Sequence, residues 1–195
     1  MSLPVILLAI VLAIGFYILS VFNKFKTIDV RIKASIQEIG NQLKRQAEMI
    51  PNLVASVKGY MQHEQAALTK ITDARKAIME AVKTNDSQKL VDAASAMASA
   101  LTPIKAVFES TPELKAAGPT QKLMDELRDT ADKVMYSRRT LIDLTADYNT
   151  MVVTVPSSMV ANAFKFTQKP GLKTADSGPQ LEVSAKEMET PKVAL

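Results

Sequence analysis

The pair His63-Glu64 is where this sequence comes nearest to a catalytic motif. A His-Glu-x-x-His zinc site needs a second imidazole one helical turn on, with the glutamate as general base. Position 67 is Ala, and the chain has one histidine. A carboxylate di-iron bundle needs Glu-x-x-His from two helices, yet Tyr60 stands where that glutamate belongs. There is no cysteine, hence no thiolate ligand, no sulfur nucleophile and no disulfide framework. No G-x-S-x-G elbow and no G-x-x-x-x-G-K phosphate loop occurs, and the six glycines form no cluster. The expectation is a protein that is not an enzyme, with no metal and no cofactor.

The remaining candidates are polar residues on or beside apolar stripes. His63 and Arg138 are candidates for a switch; the plainer readings are a hydrogen-bonded bundle histidine and an arginine paired with a carboxylate across the bundle. Lys44, Arg45, Lys58 and Tyr60 are candidates for an exposed partner-binding surface, although Lys58 and Tyr60 could equally cap and pack around Pro51. The ten methionines serve first as core filler. A nucleic-acid module would interleave basic residues with aromatics on one face. Here Lys24, Lys26, Arg31 and Lys33 follow an apolar run instead, so nucleic acid is excluded as a partner and an anionic leaflet is expected.

That apolar run, residues 3–22, positions everything else. It holds no ionisable side chain, and about 20 residues at about 1.5 Å each span about 30 Å, the thickness of a bilayer's hydrocarbon core. No basic residue precedes it and no small-x-small cleavage pattern ends it, which argues for an uncleaved anchor over a signal peptide. The excess of Lys and Arg just beyond it predicts an N-terminus outside and a cytoplasmic C-terminal domain. The net charge of +4 is concentrated there.

After residue 22 the pattern becomes periodic. Ile32, Ile36, Ile39 and Leu43 mark one helical stripe, and with no Pro or Gly between Gly15 and Gly40 the anchor is expected to continue into it as one helix. Pro51 is expected to kink or break that helix around Ile50, with Asn52 satisfying the freed backbone. The stripe resumes through Val57, Met61, Leu68, Ile71, Ile78 and Val82. An N-cap cluster at 84–87 opens an Ala-rich helix over about 87–109, bent by Pro103. A linker at 110–120 holds one helical turn at most. The last long helix is predicted over 120–153, capped by Thr120, with an inner stripe through Leu127, Val134, Arg138, Leu141 and Tyr148 and a solvated face carrying Lys122–Glu126 and Asp129–Lys133 pairs. A short amphipathic turn follows at 157–166. The tail from 167, rich in Pro and Gly, is expected to be disordered. The fold class is therefore all-α: an N-terminal transmembrane helix (1–23), then an antiparallel up-and-down bundle of three to four long helices (24–166), then a tail (167–195).

Lys44-Arg45, Ile50-Pro51-Asn52-Leu53-Val54, Val57-Lys58-Gly59-Tyr60 and His63-Glu64 together resemble the signature of the LemA family of bacterial membrane proteins. Ser137-Arg138-Arg139, Asp147-Tyr148-Asn149-Thr150 and Pro156-Ser157-Ser158 are similar to the family's closing segment, and the likeness covers about residues 24–166. Thr140-Leu141 departs from it, standing where many members carry aromatics. The resemblance implies a bromodomain-like helical bundle, an N-outside topology in the bacterial inner membrane and no catalytic residues. One branch of the family serves magnetosome membrane formation, which adds an organelle membrane as a location for specialised members.

The function expected is a membrane-anchored scaffold or adaptor that binds unidentified protein partners, a second copy of the chain among them. The alternative is a regulator of envelope signalling or proteolysis, with His63 or Arg138 in a bistable core.

Overall fold

In the computed structural model, residues 2–61 and 65–173 are described; His63, Glu64 and residues 174–195 lie outside them. The described residues form six helices and no strand: α1 (Leu3–Val57), α2 (Gln65–Thr84), α3 (Ser87–Ser110), α4 (Pro112–Ala116), α5 (Gly118–Val153) and α6 (Ser157–Ala163).

α1 is the axis of the molecule. It runs unbroken for 55 residues, about 80 Å at 1.5 Å per residue. Its N-terminal part has no neighbour: residues 3–17 are exposed and Ile18 is half-buried. From Val21 the helix acquires a buried stripe of Val21, Phe25, Ile28, Ile32, Ser35, Ile39, Leu43, Ala47 and Ile50, spaced three or four apart. Lys33, Gln37, Asn41, Lys44 and Arg45, on other faces of the helix, are exposed. The anchor expected at 3–22 and the first bundle helix are thus one rod.

α5 packs along α1 for most of its bundle length, and α2 pairs with both α1 and α3. Two pairings give the direction: Phe25 meets Tyr148, and Arg45 meets Glu126. As α1 advances by about 20 residues, α5 retreats by about as many, so the two are antiparallel. The core between them is aliphatic, closed by Leu127, Val134, Leu141 and Leu144 of α5 and by Ile71, Ile78, Leu90, Met97 and Ile104 of the α2–α3 pair. α3 is apolar enough and long enough to pass as a second membrane span. Its Leu90, Met97, Leu101 and Ile104 are buried against the other helices, which makes it a core helix.

Several of these expectations change. Pro51 does not end α1, which continues to Val57. A proline at position 51 has no N–H to give to the Ala47 carbonyl, and the Arg75 side chain from α2 donates to that oxygen instead, at 2.9 Å. Asn52 is exposed and is not the group that repairs the ladder. The corner falls later, at residues 58–61, where Tyr60 N–H bonds Val57 O and Met61 N–H bonds Lys58 O; Gly59 there costs about 1 kcal/mol in a helix relative to Ala.

α5 begins at Gly118 rather than at a Thr120 cap. Gly118 and Pro119 occupy its first turn, a position where proline's missing N–H costs nothing, and Thr120 is buried inside the helix. By contrast α3 is capped from the predicted cluster, Asp86 accepting from the Gln88 and Lys89 amides at 2.8 and 3.2 Å. On α5 the Asp129–Lys133 pair forms at 2.7 Å, while Glu126 turns to Arg45 rather than Lys122.

Arg138 is half-buried, and it joins no ion pair among the described residues. The buried position on that turn is Ser137. One residue's rotation, about 100° on a helix, moves Arg138 to the shoulder of the stripe, where water can solvate it.

The segment expected to begin a disordered tail is ordered over 167–173. It lies across the bundle as a strap, with Leu172 packed on the core and Lys173 N–H bonded to the Gln88 side chain at 2.9 Å.

Candidate membrane-proximal site

The densest set of specific contacts gathers where α1 leaves its exposed apolar stretch. α1 supplies Phe22, Phe25, Lys26 and Asp29 there, and the antiparallel end of α5 supplies Tyr148 and Asn149. α6 then returns the chain to α1. It closes with Phe166 N–H bonded to Ala161 O at 2.9 Å and Lys165 N–H to Asn162 O at 3.3 Å, the paired bonds of a Schellman cap. The cap needs a left-handed residue, which here is Lys165 at φ 57°. That reversal swings Phe166 back onto Phe25.

The result is an aromatic collar. Phe166 stacks on Phe25 at 4.6 Å and 21°, Tyr148 meets Phe25 edge-on at 5.3 Å and 77°, and Phe164 lies 5.0 Å from Phe22. These are the offset and edge-to-face arrangements that the ring quadrupole favours. The Lys26 ammonium sits 5.5 and 5.4 Å from the Phe22 and Phe166 ring centres, within cation–π range.

The strap is locked at the same place. Asn149 donates from Nδ2 to Lys169 O and accepts at Oδ1 from Lys169 N–H, each at 2.8 Å, so one amide side chain reads both polar groups of one peptide residue. The Lys169 ammonium reaches Asp29 and lies 4.9 Å above the Tyr148 ring. Lys33 bonds the other side of Asp29 at 3.0 Å. The Lys169 ammonium, then that of Lys33, holds the Asp29 carboxyl below the usual carboxylate range, against a smaller opposing effect of burial.

The sequence-predicted contact residues are not brought together. Lys44 and Arg45 are exposed in mid-α1, with Arg45 3.4 Å from Glu126. Lys58 and Tyr60 are exposed at the distal corner, about 20 Å farther along the axis. Lys58 caps α1 through its backbone, its N–H bonding Val54 O at 2.9 Å. His63 lies outside the described residues. Among the described residues no group of three or more His, Cys, Asp or Glu side chains is placed to hold a metal ion.

Recesses are shallow. One of about 550 Å³ lies open on the α1–α5 face beside Glu38, Gln42, Asp129 and Tyr136. A smaller one of about 220 Å³ lies beneath the strap between Ile32, Leu141 and Leu172, below the usual size of a small-molecule site.

A family model described as LemA family matches residues 35–186. The chain belongs to the LemA family. The search of curated proteins gives no match. The matched region begins in α1 after Lys33 and leaves the apolar run outside it, while it includes the strap. The match thus takes in residues 167–173 of the strap. The segment Asp147-Tyr148-Asn149-Thr150 acquires a structural meaning in this LemA chain: Tyr148 is a collar ring and Asn149 is the clamp. Sequence reasoning found the segment and missed the roles, because the partners, Phe25 and Lys169, are distant in sequence. The exposed apolar start of α1 and LemA membership together fit a membrane-anchored helical protein.

Proposed function

We propose that this chain is a single-pass, non-enzymatic membrane scaffold or adaptor, its N-terminus outside and its bundle in the cytoplasm. The observation that supports the reading is the rod: α1 is exposed and apolar for about one bilayer thickness, then becomes the central helix of the bundle without a hinge. A bundle fixed rigidly to an anchor presents its sides at a set height above the membrane, which suits holding a partner more than releasing a substrate. The anionic-leaflet contact falls to Lys24 and Lys26, in the first turn past residue 22. Arg31 and Lys33 lie about 14–17 Å along the axis from residue 22, beyond a Debye length of about 8–10 Å from that level. Exposed Lys44 and Arg45 are the candidate protein contact.

Protease protection in right-side-out cells tests topology: the bundle is expected to be protected. Crosslinking and affinity purification of the full chain and of a Lys44→Glu/Arg45→Glu variant tests the contact. Loss of specific partners is expected, and an unchanged partner set overturns the assigned surface. Because the Arg45–Glu126 pair is solvent-exposed it is worth about 0–1 kcal/mol, so the variant reports contact rather than folding.

A further inference from the structure

The corner between α5 and α6 carries apolar side chains that the bundle leaves largely exposed. Val153 is 59% exposed, Val155 80%, Met159 69% and Phe164 49%. Single exposed apolar residues need no explanation, but these four share one end of the bundle. α6 buries Val160 and Ala161 against the core, which turns Met159 outward. Phe164 is held 5.0 Å from Phe22, the last residue of the apolar run, so the patch sits at the level where the run ends. The charge pattern agrees: from Tyr148 to Ala175 there is no Asp or Glu, and the exposed cations nearest the patch in sequence and on α1 are Lys165, Lys24 and Lys26.

We propose that this corner is a second membrane contact, in which Val153, Val155, Met159 and Phe164 enter the headgroup–acyl boundary of the leaflet that α1 leaves, with Lys165 at the phosphates. The chemistry is that of an interfacial element: apolar side chains buried about 5–10 Å into the boundary, with basic residues meeting anionic lipid. The consequence is orientational. A lone helix can rotate about its axis, whereas a rod with a side foot presents one face of the bundle, and so one partner surface, away from the membrane. The inference rests on the anchoring reading above and fails separately from it.

The chain has no tryptophan, so single reporters can be placed in the full chain reconstituted in vesicles of phosphatidylcholine and phosphatidylglycerol with acyl chains brominated near the headgroup. Val155→Trp and, as a second reporter, Met159→Trp are expected to lose emission to bromine. Phe16→Trp, within the span, reports anchoring, and Met135→Trp, exposed at mid-α5, is expected to stay bright. Quenching of Phe16→Trp with Val155→Trp and Met159→Trp both unquenched overturns the side contact and leaves the anchor standing. An unquenched Phe16→Trp overturns the anchor and the side contact with it. A blue-shifted but bromine-insensitive Val155→Trp overturns the proposal in favour of cover by a second copy of the chain.

Discussion

The Arg75 Nε–H donates a 2.9 Å hydrogen bond to the carbonyl of Ala47, the oxygen that Pro51 leaves without its amide partner. A defect in α1 is thereby repaired from α2, and the two helices are joined at the point where the rod is weakest. Arg75→Ala is expected to destabilise the chain by about 1–3 kcal/mol, the range for leaving a buried acceptor unsatisfied. Pro51→Ala supplies the missing N–H, so in that background the same Arg75→Ala change is expected to cost markedly less. Denaturant unfolding of the four proteins in detergent, followed by helical circular dichroism, closes the cycle. Equal costs in both backgrounds would show that the bond does not serve the proline.

Asn149 is the clamp of the strap, with two 2.8 Å bonds to Lys169. Asn149→Leu removes both and is expected to raise amide exchange at Lys169 and Lys173, whose N–H groups are bonded, while the α1–α5 core stays protected. Protection unchanged at the strap would mean that Asp29 and Leu172 hold it without the clamp.

Asp29 gives the strap a pH dependence. Its folded-state carboxyl is lowered, so its contribution is fully present above the unfolded value of about 4 and is lost as pH falls through the lowered folded value. Acid therefore weakens the strap. Carbon-detected titration of Asp29 is expected to place it below the ordinary aspartate value, and Lys169→Met is expected to move it up toward that value. A titration curve that Lys169→Met leaves in place would remove Lys169 as the leading cause.

Lys165 sits at φ 57° in the cap that turns Phe166 onto Phe25. A side chain in that region costs about 1–2 kcal/mol, and glycine enters it freely at some cost in unfolded-chain entropy. Lys165→Gly is expected to raise thermal stability slightly, by about 0.5–1 kcal/mol. A loss of stability would show that the lysine makes a contact worth more than the strain.

Phe25 is fully buried between Tyr148 and Phe166. Phe25→Ala is expected to cost about 3–5 kcal/mol and to loosen the strap as well, since the residue it removes is the floor on which Phe166 rests. Thermal unfolding with exchange at 166–173 reads both. A strap that keeps its protection in this variant would separate collar from clamp.

Periodicity made most of the helices legible, because a helix buries one face and the spacing of its apolar residues records which. The stripe Ile32, Ile39, Leu43 and the α3 stripe Leu90, Met97, Leu101, Ile104 were readable in that way, and so was the passage of the anchor into the bundle. Periodicity fails at the shoulder of a stripe. Arg138 and Ser137 differ by one residue, and which of them faces inward depends on how α5 is rotated against α1.

What the sequence alone determined is the family, the all-helical class and the apolar rod with basic residues at one end, all written in local pattern and spacing. What only the tertiary structure decided is how distant segments repair and lock one another. Pro51 stays helical because Arg75, 24 residues on, reaches the Ala47 carbonyl 28 residues before it. Residues 167–173 are ordered because Asn149 and Asp29 receive Lys169. Local composition registers the proline at 51 and the Pro and Gly of the tail. It carries no record of partners brought near by the antiparallel return of α5, and a buried carbonyl or a backbone peptide is satisfied by whichever donor the fold delivers.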